Sequence, residues 1–272
     1  MAIQDYYDGL DLLPEGNLKI SPSKFSDFFD HTNMWFREHM LGESGFQGST
    51  ATYLGTVVHA YVEKAMLEQN LENFDEEELE PFLETITDFS IDKNIIRTTY
   101  YNLAYTLINA YITDHPAPIN TERFIHYEII PGISVGGTYD FLRTNQYGQL
   151  MVGDWKTSAS KPSSLTKKYQ WQLLIYCYIL RKTGLDIDGY EVNFVVKPTK
   201  TLPARAVQFA YVLQSGDMDF IESLLKLVAE SMLAFKEHPT LQYLLAQDYR
   251  LHQGPLKLET NLATLNFTDK DI

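Results

Sequence analysis

Apolar residues recur along this chain with two different periods, and the change falls near residue 115. Before it the spacing is helical. Ser21-Pro22-Ser23 offers caps for a first helix whose face carries Phe25, Phe28, Phe29 and Trp35, a stripe read as core. Gly42 to Gly48 reads as a loop. A second helix is expected from near Thr52 to Leu67, with Val57, Val58, Tyr61, Val62 and Ala65 as its apolar positions. The acidic stretch 72–88 predicts a surface helix that Pro81 either starts or kinks. Residues 91–113, with Ile95, Tyr101, Leu103, Tyr105, Leu107, Ile108 and Tyr111, predict a long, largely apolar helix stopping before Pro116.

Beyond that point alternation takes over. Phe124 to Ile130, Ile133 to Leu142 and Gln149 to Trp155 read as a three-stranded meander, with turns at Pro131-Gly132 and Asn145 to Gly148. A helix from about Ser163 to Lys182 is ended by Gly184, two strands follow at Tyr190–Val196 and Ala206–Leu213, and 216–236 and 239–249 read as helices. The tail from Leu251 receives no assignment. Helices first, then a mixed sheet with a helix between its strands, predict an α/β or α+β domain in three layers, with a central mixed β-sheet flanked by helices. One domain is expected over 1–272, its sheet-bearing core at about 120–213 and a helical amino-terminal part at 20–115.

Composition narrows the class. The chain has 272 residues, 44% of them hydrophobic, and no apolar run approaches the roughly 20 residues needed to span a bilayer. Its first residues carry neither the basic start nor the apolar segment of a secretory signal, so a cytoplasmic location is expected. The single Cys177 excludes a disulfide framework and a four-cysteine metal or iron–sulfur site within one chain. A formal charge of -14 argues against a nucleic-acid partner until its distribution is considered. Acids crowd into 68–92, whereas 156–205 holds Lys156, Lys161, Lys167, Lys168, Arg181, Lys182, Lys197, Lys200 and Arg205 against Asp186, Asp188 and Glu191. A locally basic face on an acidic chain can still bind DNA.

The chemistry converges on 137–176. Alternation puts Leu150, Val152, Asp154 and Lys156 on one strand face, so charge extends an apolar stripe and calls for a partner or a metal. Asp140 sits at the end of the preceding strand, where a tight hairpin would bring the two acids together. Two carboxylates and a backbone carbonyl suit Mg²⁺ or Mn²⁺, and Lys156 can hold the attacking water and offset phosphate charge. Asp154 and Lys156 alone would equally suit a surface ion pair. Two helical pairs strengthen the site: His59 with Glu63, and Gln172 with Tyr176, each four residues apart on one face. His59 alone would read as a satisfied helix histidine, and Tyr176 lies among apolar neighbours where core packing is nearly as good an account.

The ordered set Gly-x-x-x-His-x-x-x-Glu at 55–63, Gly-x-x-Asp at 137–140, Asp-x-Lys at 154–156 and Gln-x-x-x-Tyr at 172–176 resembles the RecB-type nucleases of the PD-(D/E)-x-K superfamily. Ser21-Pro22-Ser23-Lys24-Phe25 before an aromatic helix resembles the phage members related to exonuclease VIII. The resemblance covers roughly residues 20–200. It implies a restriction-endonuclease-like core with helical additions at both ends, metal held by His59, Asp140, Asp154 and the Trp155 carbonyl, Lys156 as a catalytic group, and Gln172 and Tyr176 positioning the substrate or Lys156. Glu63 has two readings, ligand or support for a neighbouring side chain. Tyr139 stands where the superfamily's name has proline, and there is no phosphate loop of a motor.

The expected activity is a metal-dependent exonuclease on linear double-stranded DNA, in phage or prophage recombination or in DNA repair. An endonuclease on the same fold and a cleavage-inactive DNA-binding protein are the alternatives. The resemblance further implies a single-strand annealing partner and a ring-shaped homo-oligomer, for which the 91–113 helix could be interface or core.

Overall fold

The computed structural model describes residues 13–14, 16–42, 48–68, 76–113 and 115–238. The loop expected within Gly42–Gly48, the first part of the acidic 72–88 segment, the 239–249 helix and the tail lie wholly or largely outside the described residues.

The amino-terminal aromatic stripe is not one helix. Ser21 precedes a short 3-10 turn, Pro22–Lys24, and makes no side-chain capping bond; α1 (Phe25–Asp30) and α2 (Thr32–Met40) then follow, separated at His31 by an extended φ of -147°. Phe25, Phe28, Trp35 and Phe36 are nevertheless core, packed edge to face. α3 (Thr50–Glu68) carries His59 and Glu63. α4 (Glu76–Thr85) holds Pro81 in its interior rather than at its start, and Leu79 and Leu83 are buried, so one face of this helix is core. α5 (Lys93–Tyr111) starts at Asp92, whose carboxylate accepts from the Asn94 and Ile95 backbone N–H groups. Its buried positions Ile96, Tyr100, Leu103, Ala104, Leu107 and Ile108 make it core along that face. No helix among the described residues is long and apolar enough to cross a membrane.

A strand unmarked by alternation, β1 (Leu18–Ile20), comes before these helices. β2 (Asn120–Ile130), β3 (Ile133–Thr144) and β4 (Leu150–Ser158) form the expected meander, each one longer than its pattern indicated. α6 (Lys167–Lys182) begins after the expected Ser163, because Ala159 to Thr166 is a connecting loop. Gly184, at φ 102°, ends it as expected, with Leu185 N–H reaching back to the Leu180 carbonyl. β5 (Gly189–Val196), β6 (Arg205–Val212) and α7 (Asp217–Glu237) complete the order.

The sheet is mixed. β2 and β3 are antiparallel, β3 and β4 antiparallel, β4 and β5 parallel through the α6 crossover, and β5 and β6 antiparallel. β1 is parallel to β3 and shares one edge of β3 with β4. Helices cover both faces, giving the three layers expected. α1, α2, α6 and α7 pack on one face against Val135, Val152, Val192 and Phe194. α3, α4 and α5 pack on the other against Phe141, Trp155 and Val195.

One irregularity positions the site. Ile133, Val135 and Tyr139 of β3 enter the first core, as alternation requires, but Leu142 also enters it while Phe141 turns to the second. The strand therefore changes phase at Asp140. Opposite, Thr121 pairs with Phe141 and Arg123 with Tyr139, while Glu122 between them sits at φ 45°, the one positive φ of a non-glycine residue among the described residues.

Candidate active site

β3 and β4 separate at this irregularity. Their last paired residues are Phe141 and Gly153, so Asp140 and Asp154 are the first residues past the pairing, one on each strand. Both lie inside their strands, not at strand ends joined by a hairpin. The turn is at the other end of the ladder, beyond Thr144 and Leu150, and the acids meet because the ladder opens between them. Asp140 Oδ2 accepts the Trp155 backbone N–H at 2.6 Å and stands in for a missing ladder bond. Gly153 lets the strands close just before the split, since a Cβ there would lie 1.9 Å from Phe141 Cζ.

β1 pairs with β3 only as far as Val135, and β4 begins pairing at Phe141, which leaves 136–140 of that edge without a strand partner. Tyr176 on α6 fills the interval. Its hydroxyl donates to the Thr138 carbonyl at 2.7 Å, and burial drives its pKa well above the ordinary phenol range, so it remains a donor.

Asp154 and Lys156 point from β4 toward α6. Asp154 is 2% exposed; Lys156 Nζ donates to its Oδ1 at 2.7 Å, and Gln172 Nε2 reaches the same oxygen at 3.4 Å. Asp154 Oδ2 lies 2.5 Å from Lys156 Nζ, yet it is buried and accepts no hydrogen bond of suitable direction. Asp140 is approached from the opposite face by α3, with His59 Nδ1 at 3.5 Å from its Oδ2.

Charge is strained here. Burial, and then Asp140, push the Asp154 pKa up to about 6, although Lys156 pulls it down. Burial also raises that of Asp140. Desolvation opposes the Lys156 ammonium, but Asp154 and Asp140 outweigh it and the Lys156 pKa rises. His59 is pushed down to about 4, first by burial and then by Lys156, so it is neutral at pH 7 and its contact with Asp140 is not an ion pair.

His59, Asp140, Asp154, the Trp155 backbone, Lys156 and Gln172 thus meet at one place, and Tyr176 stands one step back on the β3 backbone. Glu63 accepts from the Thr121 hydroxyl at 3.2 Å, beside the cluster. Glu122 is the residue that sequence reasoning missed. It is exposed at the rim, and its pKa is raised first by desolvation and then by Asp140, Glu63 and Asp154. Its strand was expected to begin at Phe124, and nothing in the alternation marked a glutamate two residues earlier.

Among the described residues no three histidine, cysteine, aspartate or glutamate side chains already surround one point as closely as a filled metal centre requires. The donors nonetheless fit a divalent ion: two carboxylates, the one on Asp154 buried, and a neutral imidazole.

The basic segment also divides. Lys167 pairs with Asp30, Lys168 with Asp27, Arg181 with Asp186 and Lys182 with Glu222. Lys161, Lys197 and Lys200 make no ion pair among the described residues. They lie on two adjacent loops at the carboxyl ends of β4 and β5, tied where Lys197 N–H meets the Ser158 carbonyl at 2.8 Å.

A mixed sheet between helical layers, opened beside an Asp, an Asp-x-Lys and a helix histidine, defines a nuclease fold of the restriction-endonuclease-like kind. The chain belongs to the PD-(D/E)XK nuclease superfamily, whose family model matches residues 19–243. No curated protein matches it. Among solved structures it is similar to a Eubacterium rectale protein provisionally named an exonuclease, at 15% identity and a TM-score of 0.52 over 87% of this chain and 86% of that one. It is also similar to an alkaline exonuclease from Laribacter hongkongensis, at 11% identity and a TM-score of 0.41 over 91% of this chain and 99% of that one.

Proposed function

We propose that the chain is a Mg²⁺- or Mn²⁺-dependent exonuclease acting on linear double-stranded DNA. The observation that carries the reading is the convergence of Asp140 and Asp154 with Lys156 where β3 and β4 part, within a chain of the nuclease superfamily. His59, Asp140, Asp154 and the Trp155 carbonyl would hold the ion, which when bound supplies a Lewis acid and an activated water. The Lys156 ammonium stays protonated, holds Asp154 in place, and offsets charge gathering on the phosphate. Gln172 orients Asp154, and Tyr176 acts through Thr138 as a positioning residue for β3. Lys161, Lys197 and Lys200 supply cations for duplex phosphates beside the site.

Exonuclease mode is supported by the provisional name of the Eubacterium rectale protein and by the sequence resemblance to exonuclease VIII relatives. Recombination or repair as the setting, an annealing partner and a ring assembly rest on that resemblance alone. The test offers linear and covalently closed circular duplexes to the wild type and to Asp154→Asn, with Mg²⁺, Mn²⁺ or EDTA. Loss of linear DNA only, abolished by EDTA and by the substitution, is the expected result. Nicking of the circles would make it an endonuclease, and undiminished hydrolysis by a folded Asp154→Asn protein would remove Asp154 from the chemistry.

A further inference from the structure

Among the described residues, the second face of the sheet is covered over only part of its width. Helices α3 to α5 close it around Phe141, Trp155 and Val195, but on β1, β2 and the first half of β3 the side chains facing away from the first core join neither core. Register sets these positions in a row. Lys19 pairs with Ser134, His126 with Gly136 and Phe124 with Thr138, and the row ends at Asp140. It is a track along β3 that leads into the active site.

Its chemistry combines a lysine with two aromatic rings. Gly136 makes room for an aromatic ring: a Cβ there would lie 2.9 Å from His126 Cβ and 3.1 Å from Phe124 Cζ, so the end of the Phe124 ring lies over the strand. The two rings are 6.1 Å apart and tilted by 31°, and His126 Nδ1 is buried with no hydrogen-bond partner among the described residues. Lys19 Nζ sits 4.8 Å from the centre of the Phe124 ring. It makes no ion pair among the described residues, whereas Lys24, Lys167, Lys168, Lys182 and Lys226 each have a carboxylate. Burial also pulls its pKa down, so an anion would relieve the ammonium.

An unpaired cation over a ring suits a ligand that has both phosphate and an exposed aromatic face. A duplex presents phosphate and sugar outward, so it has more use for cations than for rings. A single strand presents both. We propose that this track binds unpaired nucleotides of the DNA strand next to the scissile phosphate, with Lys19 on a phosphate and Phe124 with His126 against bases. The proposal rests on the nuclease reading and adds to it where the single strand lies.

The test measures anisotropy of labelled oligothymidylate, and of an abasic phosphodiester of equal length, in EDTA to prevent cleavage. The wild type should favour the oligothymidylate. Phe124→Ala should weaken that binding on the order of tenfold and change abasic binding little, as loss of one stacked base predicts, while Phe124→Tyr should retain the preference. Lys19→Gln should weaken both probes and lower the salt slope by about 0.7. A folded Phe124→Ala protein with undiminished base preference, or a wild type with none, would overturn the track. If that wild type still degrades duplex DNA with Mg²⁺ or Mn²⁺, the nuclease reading survives the failure; a wild type that neither cleaves nor binds DNA overturns both.

Discussion

Removing one oxygen from Tyr176 tests how the open ladder is held. Tyr176→Phe keeps the ring, so its edge contact with Tyr139 at 6.3 Å stays. What is lost is the 2.7 Å hydrogen bond to the Thr138 carbonyl, on the part of β3 that neither β1 nor β4 pairs. An acceptor left partly buried without its donor costs about 1–3 kcal/mol. At roughly 2–4 °C per kcal/mol for a chain of this size, the melting temperature should fall by about 2–12 °C. Asp140 lies two residues along the same strand, and small misplacements at a reacting centre cost up to about a hundredfold in rate. Thermal unfolding followed by circular dichroism, with steady-state degradation of a labelled linear duplex, reads both effects. We expect kcat to fall about tenfold to a hundredfold while KM changes less. An unshifted melting curve with unchanged kcat would refute the idea that this hydroxyl holds β3. An unshifted curve with a thousandfold loss of kcat would place the hydroxyl on the substrate instead.

Other substitutions probe the supports farther out. Glu191→Ala strips the buried Arg143 of its ion-pair partner and the Asn193 and Gln208 amides of an acceptor; urea unfolding should show a loss of about 3–5 kcal/mol, and a loss under about 1 kcal/mol would mean that this pair does not hold the core together. Gly153→Ala must push Phe141 off its packing with Trp155, whose ring is 4.6 Å away; a cost of about 1–3 kcal/mol in the same assay is expected, and wild-type stability would contradict the close approach. Replacing Lys197 and Lys200 together by Ala should lower the slope of log affinity for duplex DNA against log salt by about 2; an unchanged slope would remove these loops from the duplex path.

Much of this site was legible because its residues break local rules. Asp154 and Lys156 extend an apolar strand stripe, and Gln172 interrupts an apolar helix, so each called for a partner before any fold was known. The helix positions of His59 and Glu63, the order of the strands after residue 120, and the layer arrangement follow from period alone, since an element with one apolar face must bury it. β1 was not legible, because three residues are too short to show alternation, and its place beside β3 is set by a partner more than a hundred residues away. The break at His31 was hidden as well, because aromatic residues on both sides of it enter the same core and keep the helical appearance of the pattern.

What the amino-acid order determined by itself was most of the inventory: the longer strands and helices, and which polar groups are too costly to leave unpartnered. Tertiary structure decided where they meet. Asp140 faces Asp154 because β3 changes phase beside the strained Glu122 and the ladder opens past Phe141 and Gly153. Glu122 itself, and the division of the basic segment into paired and unpaired lysines, depend on neighbours from distant segments. Periodicity reports a residue's relation to its own element, whereas pairing, desolvation and charge compensation depend on every element packed around it.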